Sequence, residues 1–186
     1  MGYSIQERAE SIGTYRWVEI QLMETLARWV PTTPEMEVKV LFGRHVWDCA
    51  QHADALGRRA FELRAPLHFT LPAAQAYREF LRDAAEIVTT SDRVSTLYDV
   101  VIPGVGDLYS AYLTKTDPLM DEPTVRILQG ALQDHQRMKA ERNRLTQGVL
   151  DHATAAGFPA WKQRQRSICN VVEHGAENAR ARGTRA

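Results

Sequence analysis

Stepped at about 100° per residue, the apolar side chains gather on one side of nearly every segment, the signature of amphipathic helices. The clearest case runs from Glu35 to Leu63, where Val38, Leu41, Cys49, Ala55, Leu56 and Leu63 share a stripe. Before it, the spacing of Ile12, Tyr15, Leu22, Leu26 and Val30 predicts a helix from about Ile5 to Trp29, ended by Pro31. Thr33-Pro34-Glu35 then offers a cap residue, a first-turn proline and an early acid for the second helix, which Ala65-Pro66 stops. A shorter third helix begins near Pro72 with Tyr77, Phe80, Leu81, Ala84, Ile87 and Val88 inward. The cluster Thr89-Thr90-Ser91-Asp92 caps a fourth, which carries Val94, Leu97, Val101, Val105, Leu108 and Tyr112. Pro103, Gly104 and Gly106 predict a kink in its middle. Asp117-Pro118 closes it, and Asp121-Glu122-Pro123 opens a fifth helix to about His152, with Val125, Leu128, Leu132, Thr146 and Leu150 inward.

No run alternates with period two for long enough to make a strand, so the expected class is all-α. Two long helices, a crossover of roughly thirty residues carrying a short helix, then two more long helices make a four-helix bundle with one long connection. This bundle takes residues 1–157. Residues 158–186 add a weakly amphipathic helix through Trp161, Ile168 and Val172 and an Arg-rich tail.

Polar residues interrupt these apolar faces near their centres. Glu19 lies in the first stripe, His45, Asp48 and His52 in the second, and His135 in the last. Burying acids and imidazoles is costly unless they are paired, hydrogen-bonded or metal-bound. Mid-helix positions of an antiparallel bundle share a height, so the five are expected to converge. His45 to His52 spans about 10 Å along the helix, long for one ion; Glu19, Asp48, His52 and His135 make the tighter subset. Carboxylate and imidazole donors suit iron, manganese or zinc rather than calcium or magnesium. Without a metal, His52 or His135 would serve as general base, oriented by Glu19 or Asp48. Tyr15 and Tyr112, also inward, would line a substrate pocket.

Lys plus Arg balances Asp plus Glu at 23 each, so no net field favours nucleic acid or anionic lipid. No apolar run approaches the roughly 20 residues needed to span a bilayer, and the N-terminus does not read as a signal peptide. Two distant cysteines fit a reducing compartment, and the cytoplasm is the expected location. Trp17 and Trp47 fall outside the inward faces; the crossover is their simplest cover, a homodimer the alternative.

In helix order, crossover position and an inward Glu19 on the first helix, residues 5 to 152 resemble the ferritin-like superfamily. That resemblance implies a buried metal centre, normally with Glu on the first and third core helices and Glu-x-x-His on the second and fourth. Here the second helix has His45-x-x-Asp48-x-x-x-His52, the third shows no inward acid, and Leu132 stands three before His135. A mononuclear or altered iron or manganese site is therefore expected, or a metal-free one using the same acids and histidines directly. The leading function is oxidation of a small organic molecule inside the bundle. Metal-free acid/base catalysis and a non-catalytic interaction role are the alternatives.

Overall fold

The computed structural model describes residues 3–146 and 163–164, and among these every regular element is helical. The elements are α1 (Ile5–Thr32), α2 (Met36–Glu62), α3 (Gln75–Ala85), α4 (Thr90–Thr96), α5 (Ile102–Lys115) and α6 (Glu122–Thr146). A π-helical turn, Leu97–Val101, joins α4 to α5, so residues 90–115 form one continuous rod. The four long pieces pack in a ring, α1 on α2, α2 on α6, α6 on α5, with Tyr109 of α5 closing back onto Glu19 of α1. No helix among the described residues is long and apolar enough to cross a membrane. The expected C-terminal helix and tail fall outside them, apart from Gln163 and Arg164; Arg164 pairs with Asp83 of α3 at 2.8 Å.

Local chemistry sets the ends. Ser4 and Glu7 form a reciprocal capping box at the start of α1. Pro31 does not end α1: the helix runs on to Thr32 with the proline in its last turn. Thr33 caps no following helix either; its hydroxyl donates back to Trp29 O at 2.8 Å and accepts from Arg93 Nη1 at 3.1 Å. The end of α2 is a Schellman turn, Ala65 N–H to Ala60 O and Arg64 N–H to Phe61 O, both 3.0 Å, with Arg64 in the left-handed region. Thr89 caps α4 as its sequence predicts, accepting from Asp92 N–H at 3.2 Å.

The kink expected at Pro103 is resolved as the π turn immediately before it. Proline has no N–H to give and crowds the carbonyl four residues back, and one wide turn relieves both. The crossover returns over α1 at Gly13, where a Cβ would stand 2.4 Å from the Phe69 ring and where Gly13 O accepts from Leu71 N–H. Any side chain there would have to displace the Phe69 ring.

Two inward faces differ from their apolar spacing. On α3, Val88 lies beyond the helix end and is 80% exposed. On α6 the buried row is Thr124, Leu128, Ala131, His135 and Met138. Val125 and Leu132 sit on its shoulder. Trp47 is exposed, together with Met36, Val40 and Phe61 of the same helix, whereas Trp17 packs against the core.

Candidate metal centre

Glu19 is wholly buried at the middle of α1, facing α2, α5 and α6. His52 of α2 brings Nδ1 to 3.4 Å from Glu19 Oε1. His135 of α6 brings Nε2 to 3.8 Å from the same oxygen. One donor atom from each of the three lies within 4.8 Å of the others. A buried Glu/His/His group from three helices could thus hold a metal ion. Among the described residues it is the group of three or more acids, histidines or cysteines that meets this spacing.

The surroundings fit that use. Tyr109 donates to Glu19 Oε1 at 2.6 Å and stacks on His135 with ring centroids 5.8 Å apart. Glu19 Oε2, His52 Nδ1 and His135 Nδ1 have no hydrogen-bond partner in the protein. Buried polar atoms are rarely left this way. His52 Nε2–H donates outward to Asp134 Oδ2 at 3.2 Å, which fixes the ring and leaves Nδ1 for the centre. A carboxylate on the far nitrogen is the usual second partner of a metal-bound imidazole. Donors about 2.0–2.2 Å from an ion stand about 3.3–3.5 Å apart in a tetrahedron, close to the 3.4 and 3.8 Å found. The donor set fits an ion of the iron, manganese or zinc kind.

Electrostatics reinforce the geometry. Burial would raise the Glu19 carboxyl, but the facing His135 and His52 imidazoles outweigh it and hold the group well below the usual carboxylate range. Burial would lower His52, yet Glu19 and then Asp134 lift it to about 9. With no ion bound, His52 is therefore a cation at neutral pH between two anions. Burial and then Glu19 push the Cys49 thiol up, so the buried cysteine stays protonated.

The remaining expected residues lie elsewhere. Asp48 is turned to the α2–α6 edge, where its Oδ1 pairs with Arg137 at 2.9 Å. His45 is buried a turn and more away, with Nδ1 hydrogen-bonded to the Tyr98 hydroxyl at 2.5 Å and Nε2 facing Glu141 at 3.4 Å. Burial pushes the His45 imidazole down despite Asp48 and Glu141, leaving it neutral at neutral pH. Tyr15 packs edge-on against Tyr109, and its hydroxyl donates to Leu108 O at 3.4 Å. Tyr112 donates to Asp121 at 2.7 Å.

Compared with protein-family models, with curated proteins and with solved structures, the chain matches none. The geometry carries the functional reading alone.

Tyr109 and Asp134 complete the centre but escape a reading based on apolar stripes. Their signal is a second spacing. Tyr98, Ile102, Val105, Tyr109 and Tyr112 recur at four, three, four, three, which marks a buried face of its own. Asp134 precedes an inward histidine, which places it on the rim, and a carboxylate there still reaches the neighbouring helix.

Proposed function

We propose that this protein is a metal-dependent enzyme acting on a small organic molecule, with Glu19, His52 and His135 binding one divalent ion inside a ferritin-like bundle. One observation carries the reading: two histidines and one carboxylate from three helices bring ligand atoms within 4.8 Å of one another in the buried core. Two imidazoles and a carboxylate with open positions form the usual binding set of non-haem iron oxygenases, so iron is the first choice of ion. Bound there, iron would supply oxygen activation for an oxidation, and manganese or zinc would supply Lewis acidity. The helix order, with a crossover between the second and third long helices, supports the ferritin-like assignment.

The chain's own groups divide the work. Asp134 holds the His52 ring by its outer nitrogen, and Tyr109 holds Glu19 by Oε1, so that three donors are oriented before any ligand arrives. Stacked Tyr109 and His135 and the edge of Tyr15 keep water from the carboxylate. Such buried, mutually perturbed ionisable groups are concentrated at functional sites.

A second reading rests on His52 alone. Lifted to about 9 by its two carboxylates, it is a ready proton donor at neutral pH, suited to general-acid catalysis with no metal.

Elemental analysis of protein purified without chelator separates the two. About one iron, manganese or zinc per chain, lost in His135→Ala and Glu19→Gln, is the expected result. Absence of metal together with activity lost in His52→Gln turns the reading to acid catalysis. Absence of metal with no defect in any of these variants leaves a polar network that only fixes helix register.

A further inference from the structure

On the side of α2 turned away from the centre, Met36, Val40, Trp47 and Phe61 are all exposed, Trp47 by 66%. They are not scattered. Met36, Val40, Gly43, Trp47, Ala50, Asp54, Gly57 and Phe61 follow at alternating steps of four and three, a seam about 37 Å long. Single exposed apolar residues are ordinary, whereas a continuous row of them marks a contact surface. None of the described residues covers it. The crossover meets α1 at Gly13, the end of α3 meets Trp29, and Arg164 lies on Asp83 of α3. Gly43 is a second anomaly. A mid-helix glycine weakens a helix relative to alanine, and here a Cβ would meet nothing within 4 Å, so no contact within the chain requires it.

The seam fits a copy of itself. Laid antiparallel on a second α2, Trp47 falls on Ala50, Asp54 on Gly43, Val40 on Gly57, and Met36 on Phe61 at either end. Large side chains along the middle therefore face small ones. Gly57 is partly covered by the Arg16 side chain, so the open part of the seam is the stretch from Gly43 to Ala50.

Charge agrees with this register. The exposed row beside the seam is Glu37, Arg44, Gln51 and Arg58. Glu37 then stands opposite Arg58, and Arg44 opposite Gln51 with Asp54 one turn on; a two-fold axis makes each contact twice. Arg58 Nη2 holds Asp54 of its own helix at 3.0 Å, and Arg44 Nη1 reaches Glu141 at 3.8 Å. Both guanidiniums are mostly exposed and have further N–H groups for a second acid. A parallel, in-register pair would instead set Trp47 on Trp47, Gly43 on Gly43 and Arg44 beside Arg44.

We propose that the outer face of α2 is the interface of a homodimer, in which two α2 helices pack antiparallel with Trp47 of each copy seated between Gly43 and Ala50 of the other. The inference does not depend on the reading of Glu19, His52 and His135.

Sedimentation equilibrium of the full-length protein, over a hundredfold range of concentration, tests it. Wild type is expected to reach twice the chain mass. Trp47→Glu and Val40→Glu, at exposed positions, are expected to keep the helical circular dichroism of wild type and the mass of one chain. Glu37→Arg and Arg58→Glu should each weaken association roughly tenfold or more by setting like charges together, and the two combined should recover most of it. A dimer that survives both Trp47→Glu and Val40→Glu lies on another face and overturns the inference. One that they break, but whose charge reversals do not compensate, overturns the antiparallel pairing. A monomer at every concentration overturns the inference outright. Acrylamide quenching of Trp47, taken as the difference between wild type and Trp47→Phe, then says what holds the face: shielding assigns it to another segment of this chain, and free quenching leaves it to solvent.

Discussion

Among the described residues two carboxylates are buried, Asp121 and Glu19, and they are treated in opposite ways. Asp121 Oδ1 accepts from Arg59 Nη2 at 3.0 Å and Thr124 Oγ1 at 2.6 Å, while Oδ2 accepts from Tyr112 at 2.7 Å and Thr116 at 3.0 Å. Arg59 is filled in turn, its Nε donating to Thr124 at 2.8 Å and its Nη1 to Glu62 at 2.9 Å. Glu19 accepts one hydroxyl on Oε1, meets two imidazoles at longer range, and leaves Oε2 bare. A carboxylate with every lone pair used is a clamp, here tying the α5–α6 connection to α2. One with lone pairs to spare, facing two imidazoles, is a receptor.

The largest effect that separates them is on stability. Asp121→Ala leaves the Arg59 guanidinium buried without its main partner and is expected to cost about 3–5 kcal/mol. Metal uptake should be unaffected. Glu19→Gln keeps the shape but removes the carboxylate that does most to lift His52, so it should cost up to about 3 kcal/mol in the metal-free protein, less than Asp121→Ala, and should abolish uptake. Equilibrium urea unfolding of the stripped proteins reads the first pair of numbers. If Glu19→Gln proves the more damaging, clamp and receptor are not different things.

The pH profile of the stripped protein should divide between the same two places. His52 stands at about 9 in the folded chain against about 6.5 unfolded. Its contribution is full below about pH 6.5 and is lost as the pH rises through 9, an effect on the order of 3 kcal/mol. For Asp121, burial is outweighed by its donors Thr124, Tyr112, Arg59 and Thr116, which hold it below the ordinary carboxylate range. Its contribution is present above the unfolded value of about 3.9 and is lost as the pH falls. Melting temperatures measured from pH 3 to 10 should therefore show an alkaline limb that His52→Gln flattens and an acid limb from which that variant removes only the part that Glu19 and Asp134 owe to His52, leaving the Asp121 part. An unchanged alkaline limb in His52→Gln would remove the centre from that account.

Smaller again is the loss on cutting the outer support. Asp134→Ala leaves all three donors in place but removes the outer partner of the His52 ring, along with a partner of Arg137, so metal affinity is expected to fall roughly 10–100-fold. Competition against a chelating dye measures it. Affinity within twofold of wild type would mean that the ring is held by packing alone.

How far the chain could be read in advance follows the same division. The faces of α1, α2 and the rod of residues 90–115 were legible because Leu, Ile and Val mark them, as Leu22, Leu56 and Val105 do. The face of α6 was not, because its inner row includes Thr124 and Ala131, one polar and one small, which apolar periodicity passes over. Pro31 misled because it gives up one N–H bond to the carbonyl four residues back and blocks little beyond it, so the helix can run one residue further before it ends. At the centre, Glu19, His52 and His135 stand out as polar residues in apolar stripes. Asp134, Arg137 and Glu141 look like ordinary surface charges until their spacing is laid against that of His45, Asp48 and His52 in the antiparallel sense. Clamps are harder still to foresee. Arg59 and Asp121 are 62 residues apart, and nothing local announces that they meet.

The finest division lies between two tyrosines three residues apart on α5. Tyr112 donates to Asp121 and Tyr109 to Glu19, and burial keeps both phenols protonated. Each Tyr→Phe change deletes one hydrogen bond to a buried carboxylate, worth about 1.5–3 kcal/mol where the acceptor is charged. At Asp121, Thr116 still serves the same oxygen, so Tyr112→Phe should sit at the bottom of that range and leave metal affinity alone. At Glu19 no other hydroxyl remains. The carboxylate then turns more of its charge toward His52 and His135, and the phenyl ring left by Tyr109→Phe keeps the stacking on His135. This change should therefore shift metal affinity severalfold while costing no more stability than its neighbour. Calorimetric titration of both variants gives the comparison directly. Equal metal affinities would show that the Tyr109 hydroxyl is one more strut and that the receptor ends at its three donors.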